Sequence, residues 1–239
     1  MELTLDAMAY DLWLTIRNGH VVDDDDLDIR QIKFWIKNNR AVWVKNEVGK
    51  GYSLSQRFIQ PVKTGVYDYV SLIPTDIAQF GTVGDTILKT TIQIPNLIEY
   101  KGTPLLTKVG PALVNEGTFT IIPFERVPYI GNGRFNSNAI YAFWKDNYIY
   151  LISRGNSLNF TGMRKISIRG IFADPELVPG YLNTDAYPIT EALWTYMKDI
   201  IMKTDVQMFL ATPSDKINDF FIVLIAVIIY AILKLKKVI

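Results

Sequence analysis

Asn138-Ala-Ile-Tyr-Ala-Phe-Trp144, Lys145-Asp-Asn147, Tyr148-Ile-Tyr-Leu-Ile-Ser153 is the stretch from which the fold is read. Two runs rich in Ile, Tyr, Phe and Trp flank a short polar segment, the pattern of two β-strands joined by a tight turn. Outward from this hairpin the same character holds from about Tyr52 to Tyr181: prolines and glycines interrupt short runs of Val, Ile, Thr, Tyr and Phe, as strands and turns do. Further strands are expected at Tyr67 to Ile73, Ile87 to Ile94, Thr118 to Pro123 and Arg164 to Phe172. In the last of these Met163, Lys165, Ser167 and Arg169 alternate with Arg164, Ile166, Ile168 and Gly170, which gives one largely polar face and one that packs in part.

Helical spacing stands on both sides of this β-rich middle. Leu5, Met8, Leu12 and Ile16 recur along one stripe, and Asn18-Gly19 is a helix stop. A second helix is expected to start in the run Asp23-Asp24-Asp25-Asp26, where carboxylates accept from free amides and oppose the helix dipole. Ile29, Ile32, Ile36 and Trp43 then lie near one stripe, and Lys33, Lys37 and Arg40 share another face. After Asp185, Pro188 suits a first turn and Thr190 a cap. Leu193, Met197, Ile200, Ile201 and Met208 form a stripe ending before Thr212-Pro213, a helix of about twenty residues and about 30 Å. The fold class is therefore α+β: a helical base made from an N-terminal hairpin (1–51) and a C-terminal helix (185–212), with an antiparallel β domain (52–184) inserted between them. A hydrophobic tail (213–239) follows.

Composition removes most catalytic schemes. The 239 residues hold one histidine, His20, and no cysteine, so a Cys/His zinc site cannot be assembled within the chain and an imidazole-assisted nucleophile would have to rest on His20 alone. His20, beside a helix stop, reads as a surface or capping residue. Carboxylate and oxygen-ligated metal chemistry survives this cut. The aspartate run, however, lacks the alternating ligands, the glycine and the closing glutamate of a calcium loop, and reads as a solvated capping turn. Gly131-Asn-Gly-Arg134 lacks the Lys and Ser or Thr of a phosphate loop and leads into a strand instead of a helix, so it reads as a turn. Tyr141, Phe143, Trp144, Tyr148 and Tyr150 could stack nucleobases, but aromatics at strand spacing are the stuff of cores and interfaces. With 25 basic against 24 acidic residues the net charge is +1, and no general attraction to nucleic acid follows. No enzyme activity and no cofactor is expected.

The start of the chain carries Glu2 and Asp6, unlike an export signal. Phe220 to Leu233 is an apolar run of fourteen residues closed by Lys234, Lys236 and Lys237. As a helix it covers about 21 Å, short of the roughly 30 Å hydrocarbon core, and its β-branched content also suits a strand. Burial between subunits is the favoured reading; a tail anchor in a membrane is the competing one.

The segments Met1-Glu-Leu-Thr-Leu-Asp-Ala-Met-Ala-Tyr10, Arg30-Gln-Ile-Lys-Phe-Trp-Ile-Lys-Asn-Asn-Arg40, Ile166-Ser-Ile-Arg-Gly-Ile-Phe-Ala-Asp-Pro175 and Leu210-Ala-Thr-Pro-Ser-Asp-Lys-Ile-Asn-Asp219 resemble virion structural proteins of crAss-like Bacteroidales phages. The architecture is similar to the head-to-tail adaptor, or gatekeeper, proteins of short-tailed phages. That resemblance implies a non-enzymatic ring subunit in the virion neck or tail, assembled in the bacterial host cytoplasm. Its implied partners are identical subunits, a dodecamer by analogy, the portal and neighbouring tail ring proteins. Ile29, Ile32, Trp35, Ile36, Trp43, Leu193, Met197, Ile200 and Ile201 are the interface candidates. Asp23, Asp24, Asp25 and Asp26 are candidates to face the DNA channel, in passive contact with packaged DNA.

Overall fold

The computed structural model describes residues 3–17, 27–64, 70–74, 86–112, 117–130, 139–153, 160 and 162–210. Two helices open the chain, α1 (Leu5–Ile16) and α2 (Ile29–Gly49). Ten short strands follow: β1 (Gln60–Pro61), β2 (Val70–Pro74), β3 (Thr86–Thr90), β4 (Glu99–Tyr100), β5 (Thr103–Pro104), β6 (Leu106–Pro111), β7 (Thr120–Ile121), β8 (Tyr141–Lys145), β9 (Tyr148–Ser153) and β10 (Lys165–Gly170). Two helices, α3 (Glu191–Lys203) and α4 (Asp205–Leu210), close the described part. Contacts divide the chain into two compact units, 1–197 and 198–239, with the boundary inside α3.

β8 and β9 form the hairpin expected from sequence, with Lys145 opposite Tyr148. Asp146 and Asn147 make the turn at φ 50° and 62°. A two-residue loop of that handedness matches the twist of the strands it joins, and Asp and Asn tolerate left-handed backbone better than other non-glycine residues. Around the hairpin runs an eight-stranded sheet in the order β1-β10-β2-β3-β9-β8-β7, with β6 also paired to β10. β4 and β5 form a separate two-stranded ribbon. The sheet is mixed and not purely antiparallel, because β7 pairs parallel with β8. Parallel neighbours need a long crossover, and the connection between these two strands includes a 3₁₀ helix at Phe124–Tyr129.

Period-two alternation places the core. On β8 and β9, Ala142, Ile149 and Leu151 point to one face, where they join Val70, Leu72, Ile166, Ile168 and Phe172. Phe143, Tyr150 and Ile152 point to the other, against Ile87 and Val127. Phe143 stacks on Tyr150 at 5.2 Å between centroids. Both rings are thus core residues, not base-stacking platforms.

Several boundaries differ from expectation for local reasons. The strand expected to reach Ile94 ends at Thr90, whose buried hydroxyl donates to the Ile92 carbonyl and accepts from the Ile149 amide, turning the chain out of the ladder. Of the Thr118 to Pro123 segment only Thr120 and Ile121 pair. Helix α2 is capped by Asp28, which accepts from the Arg30 amide; the Asp23 to Asp26 run expected to do this lies outside the described residues, as does Asn18-Gly19. The expected twenty-residue C-terminal helix is two helices broken at Thr204, whose hydroxyl donates back to the Ile200 carbonyl. Back-bonding of this kind bends helices. Thr190 caps α3 as expected, accepting from the Leu193 amide.

Candidate functional site

Helix α2 is fastened to the sheet unit along one stripe, and Arg40 is the fastening. The sequence put Arg40 on one face of α2 with Lys33 and Lys37; it is fully buried. Its Nε donates to the Pro188 carbonyl at 3.0 Å and its Nη1 to the Phe172 carbonyl at 2.9 Å. Its guanidinium also lies over the Tyr187 ring at 5.7 Å. Acceptors at Nε and Nη1 offset the cost of burying the charge, while the buried Nη2 makes no hydrogen bond among the described residues. Burial pushes its pKa down, against the raising influence of Tyr187 and Asp174. One side chain therefore ties three parts of the chain together: α2, the exit of β10, and the segment leading into α3.

A second bond lies one turn away. Lys37 sits between Asp174 at 2.8 Å and Glu176 at 2.7 Å. Partial burial acts to lower its pKa, and the bonds to the two carboxylates outweigh that and hold it raised. Asp174 also caps the short 3₁₀ helix Pro175–Leu177 by accepting from the Glu176 amide. Lys33 pairs with Asp6 of α1, and Trp43 stacks on Phe58 at 5.2 Å. Lys33, Lys37 and Arg40, which share a face of α2 by spacing, thus all make contacts within the chain.

The interface candidates differ in their burial within the chain. Ile32, Trp35 and Ile36 are buried in the chain's own interior, as are Leu193 and Met197 of α3. In the second unit Ile201 is buried and Ile200 half-buried. Trp43 is half-buried, and Ile29 is exposed. The buried members of these stripes pack within the chain itself. His20, Asp23 to Asp26, Gly131 to Arg134 and Phe220 to Leu233 lie outside the described residues.

Two apolar surfaces that the sequence reading did not single out are open. Along α1, Leu5, Met8, Ala9 and Leu12 are buried, while the opposite stripe, Ala7, Tyr10 and Leu14, lines a groove of about 390 Å³ with Leu3 and Trp194. On α2 the outward stripe carries Phe34, 60% exposed, and Val42, 49% exposed. The signal for the first was present in the sequence. Apart from Tyr10, the only non-apolar residues of α1 are Asp6, Asp11 and Thr15, and a helix apolar on both sides is a helix meant to be covered on both sides.

Among the described residues no group of three or more His, Cys, Asp or Glu could hold a metal ion. No described helix is long and apolar enough to cross a membrane. Curated proteins provide no match to the chain. The family model for phage tail ring protein 2 matches residues 7–220, from within α1 to beyond α4. By that match the chain belongs to the family of crAss-like phage tail ring proteins described as phage tail ring protein 2.

Proposed function

We propose that this protein is a head-to-tail adaptor: a ring subunit that joins the portal to the tail and surrounds the DNA channel. Membership of a phage tail ring family gives it a structural role in the virion, in an oligomer with other tail components. The observation that supports the finer reading is the Arg40 fastening, which ties α2 to the exit of β10 and to the segment leading into α3. A subunit of that build can present its helices to neighbours while its sheet reaches toward the next ring, and it needs no active site to do so.

In this reading the ring is a dodecamer assembled in the host cytoplasm, its two axial partners are the portal and the next tail ring, and the Asp23 to Asp26 turn faces the channel. Negative charge there would repel phosphates and let the genome slide. The test is co-expression of the full chain with the portal protein of its phage. A stable complex with one ring subunit per portal subunit supports the adaptor reading. Failure to bind the portal, alongside stable binding to another tail ring, would place the subunit further down the tail.

A further inference from the structure

We infer that neighbouring copies in the ring meet head to tail, the outer face of α2 on one copy seating in the α1 groove of the next. This rests on the ring reading above. A closed ring uses a heterologous interface, so each subunit must carry two different, mutually complementary surfaces. The described surface of unit 1 carries such a pair.

The groove runs along Ala7, Tyr10 and Leu14 of α1, with Trp194 on its flank. Ala7 and Leu14 are about 10 Å apart along the axis, and Phe34 and Val42 on α2 are about 12 Å apart. Two apolar knobs on the second helix thus match the length of the trough on the first. Tyr10 is 51% exposed, and an aromatic side chain half in water at the rim of an apolar groove is typical of contact surfaces.

Charge selects the partner. The groove's one charged lining residue is Asp11. The α2 stripe that bears Phe34 and Val42 also carries the exposed Lys45 and, 4.0 Å from the Asp28 carboxylate, the exposed Arg30. Groove against groove would set Asp11 against Asp11, and stripe against stripe would set cation against cation. Groove against stripe sets acid against base, and like-charge juxtaposition disfavours the two self-pairings. The same asymmetry is visible in the sequence, where the α1 region is acidic and α2 is basic.

The absence of cysteine makes the test free of background. The full chain carrying both Leu14→Cys and Phe34→Cys is incorporated into virions, treated with a short bis-maleimide and run on a denaturing gel. Either substitution alone serves as the control, and the melting temperature of each purified chain checks that it folds. The expected result is a ladder of covalent multimers from the double variant and only monomer from each single one. Dimers from a single variant would mean a two-fold contact and overturn the inference. Virions that contain the folded double variant in a ring yet give no cross-links would overturn it while leaving the ring reading intact. A folded, unmodified chain that is missing from virions would remove the ring reading, and this inference with it.

Discussion

Arg40 decides how the helices sit on the sheet, and it is the residue whose loss should be felt most. Arg40→Leu strips the Pro188 and Phe172 carbonyls of their donors. The expected cost is about 3 kcal/mol, from two hydrogen bonds to a charged group and imperfect refilling of the space, read as a lowered midpoint in denaturant. Arg40→Lys should recover only part of it, because an ammonium cannot reproduce the fork that reaches two separate carbonyls. A midpoint unchanged in Arg40→Leu would mean that the helices are held by apolar packing alone.

The same neighbourhood sets the alkaline limit of stability. Tyr187 is pushed up by burial, partly offset by the Arg40 charge, and Tyr181 is pushed up to about 12, first by burial and then by Glu176. Lys37 is raised too, its carboxylate partners overcoming burial. For each of these groups the folded state holds its proton more tightly than the unfolded state. Their contribution is therefore complete below the ordinary values, about 10 for Tyr and about 10.4 for Lys, and is lost as pH rises through the raised values. Melting temperature should fall from about pH 10 upward. Tyr187→Phe should flatten that fall, because a phenyl ring has no proton to lose. An alkaline limb as steep in the variant as in the natural chain would assign the effect to other groups.

At the scale of elements, strands β8 and β9 were legible because their signal is local: two aromatic, β-branched runs around Asp146-Asn147. Helices α1 and α2 were legible for the same reason, in their apolar spacing. Strand β6 was not. Leu106–Pro111 contains Gly110 and Pro111, which read as turn residues in isolation, and only its pairing partner β10 makes it a strand. Gly110 has a specific reason to be there: a Cβ added to it would stand 2.7 Å from the Gly117 carbonyl oxygen. Gly110→Ala must therefore displace backbone, with an expected loss of about 1–3 kcal/mol. Thermal unfolding of that variant measures it, and an unchanged melting temperature would mean the Gly117 segment yields freely. The role of Arg40 was hidden in the same way, since its acceptors lie 132 and 148 residues away in sequence. A cation on a helical wheel carries no mark of carbonyls that only the fold brings near. Ile32, Trp35, Ile36, Leu193, Met197 and Ile201 are buried while Ile29 is exposed, a division the sequence could not make, because periodicity identifies an apolar stripe but not whether its partner belongs to the same chain.

For the whole molecule, the lack of cysteine excluded thiol chemistry and a single histidine narrowed the rest, and the structural role comes from membership of a tail ring family. Replacing Asp23 to Asp26 together by Asn separates the channel reading from a merely local one. The change leaves Asp28, the cap of α2, in place, so virions should assemble while their release of DNA slows. Release kinetics that match the natural virion would remove the aspartates from the channel. The most direct measurement is a cryo-electron reconstruction of the intact virion's portal and tail junction. The expected result is a closed ring directly below the portal, into each subunit of which the described helices and mixed sheet fit, with α1 of one copy against α2 of the next. Absence of this fold from every ring of the neck and tail would contradict it.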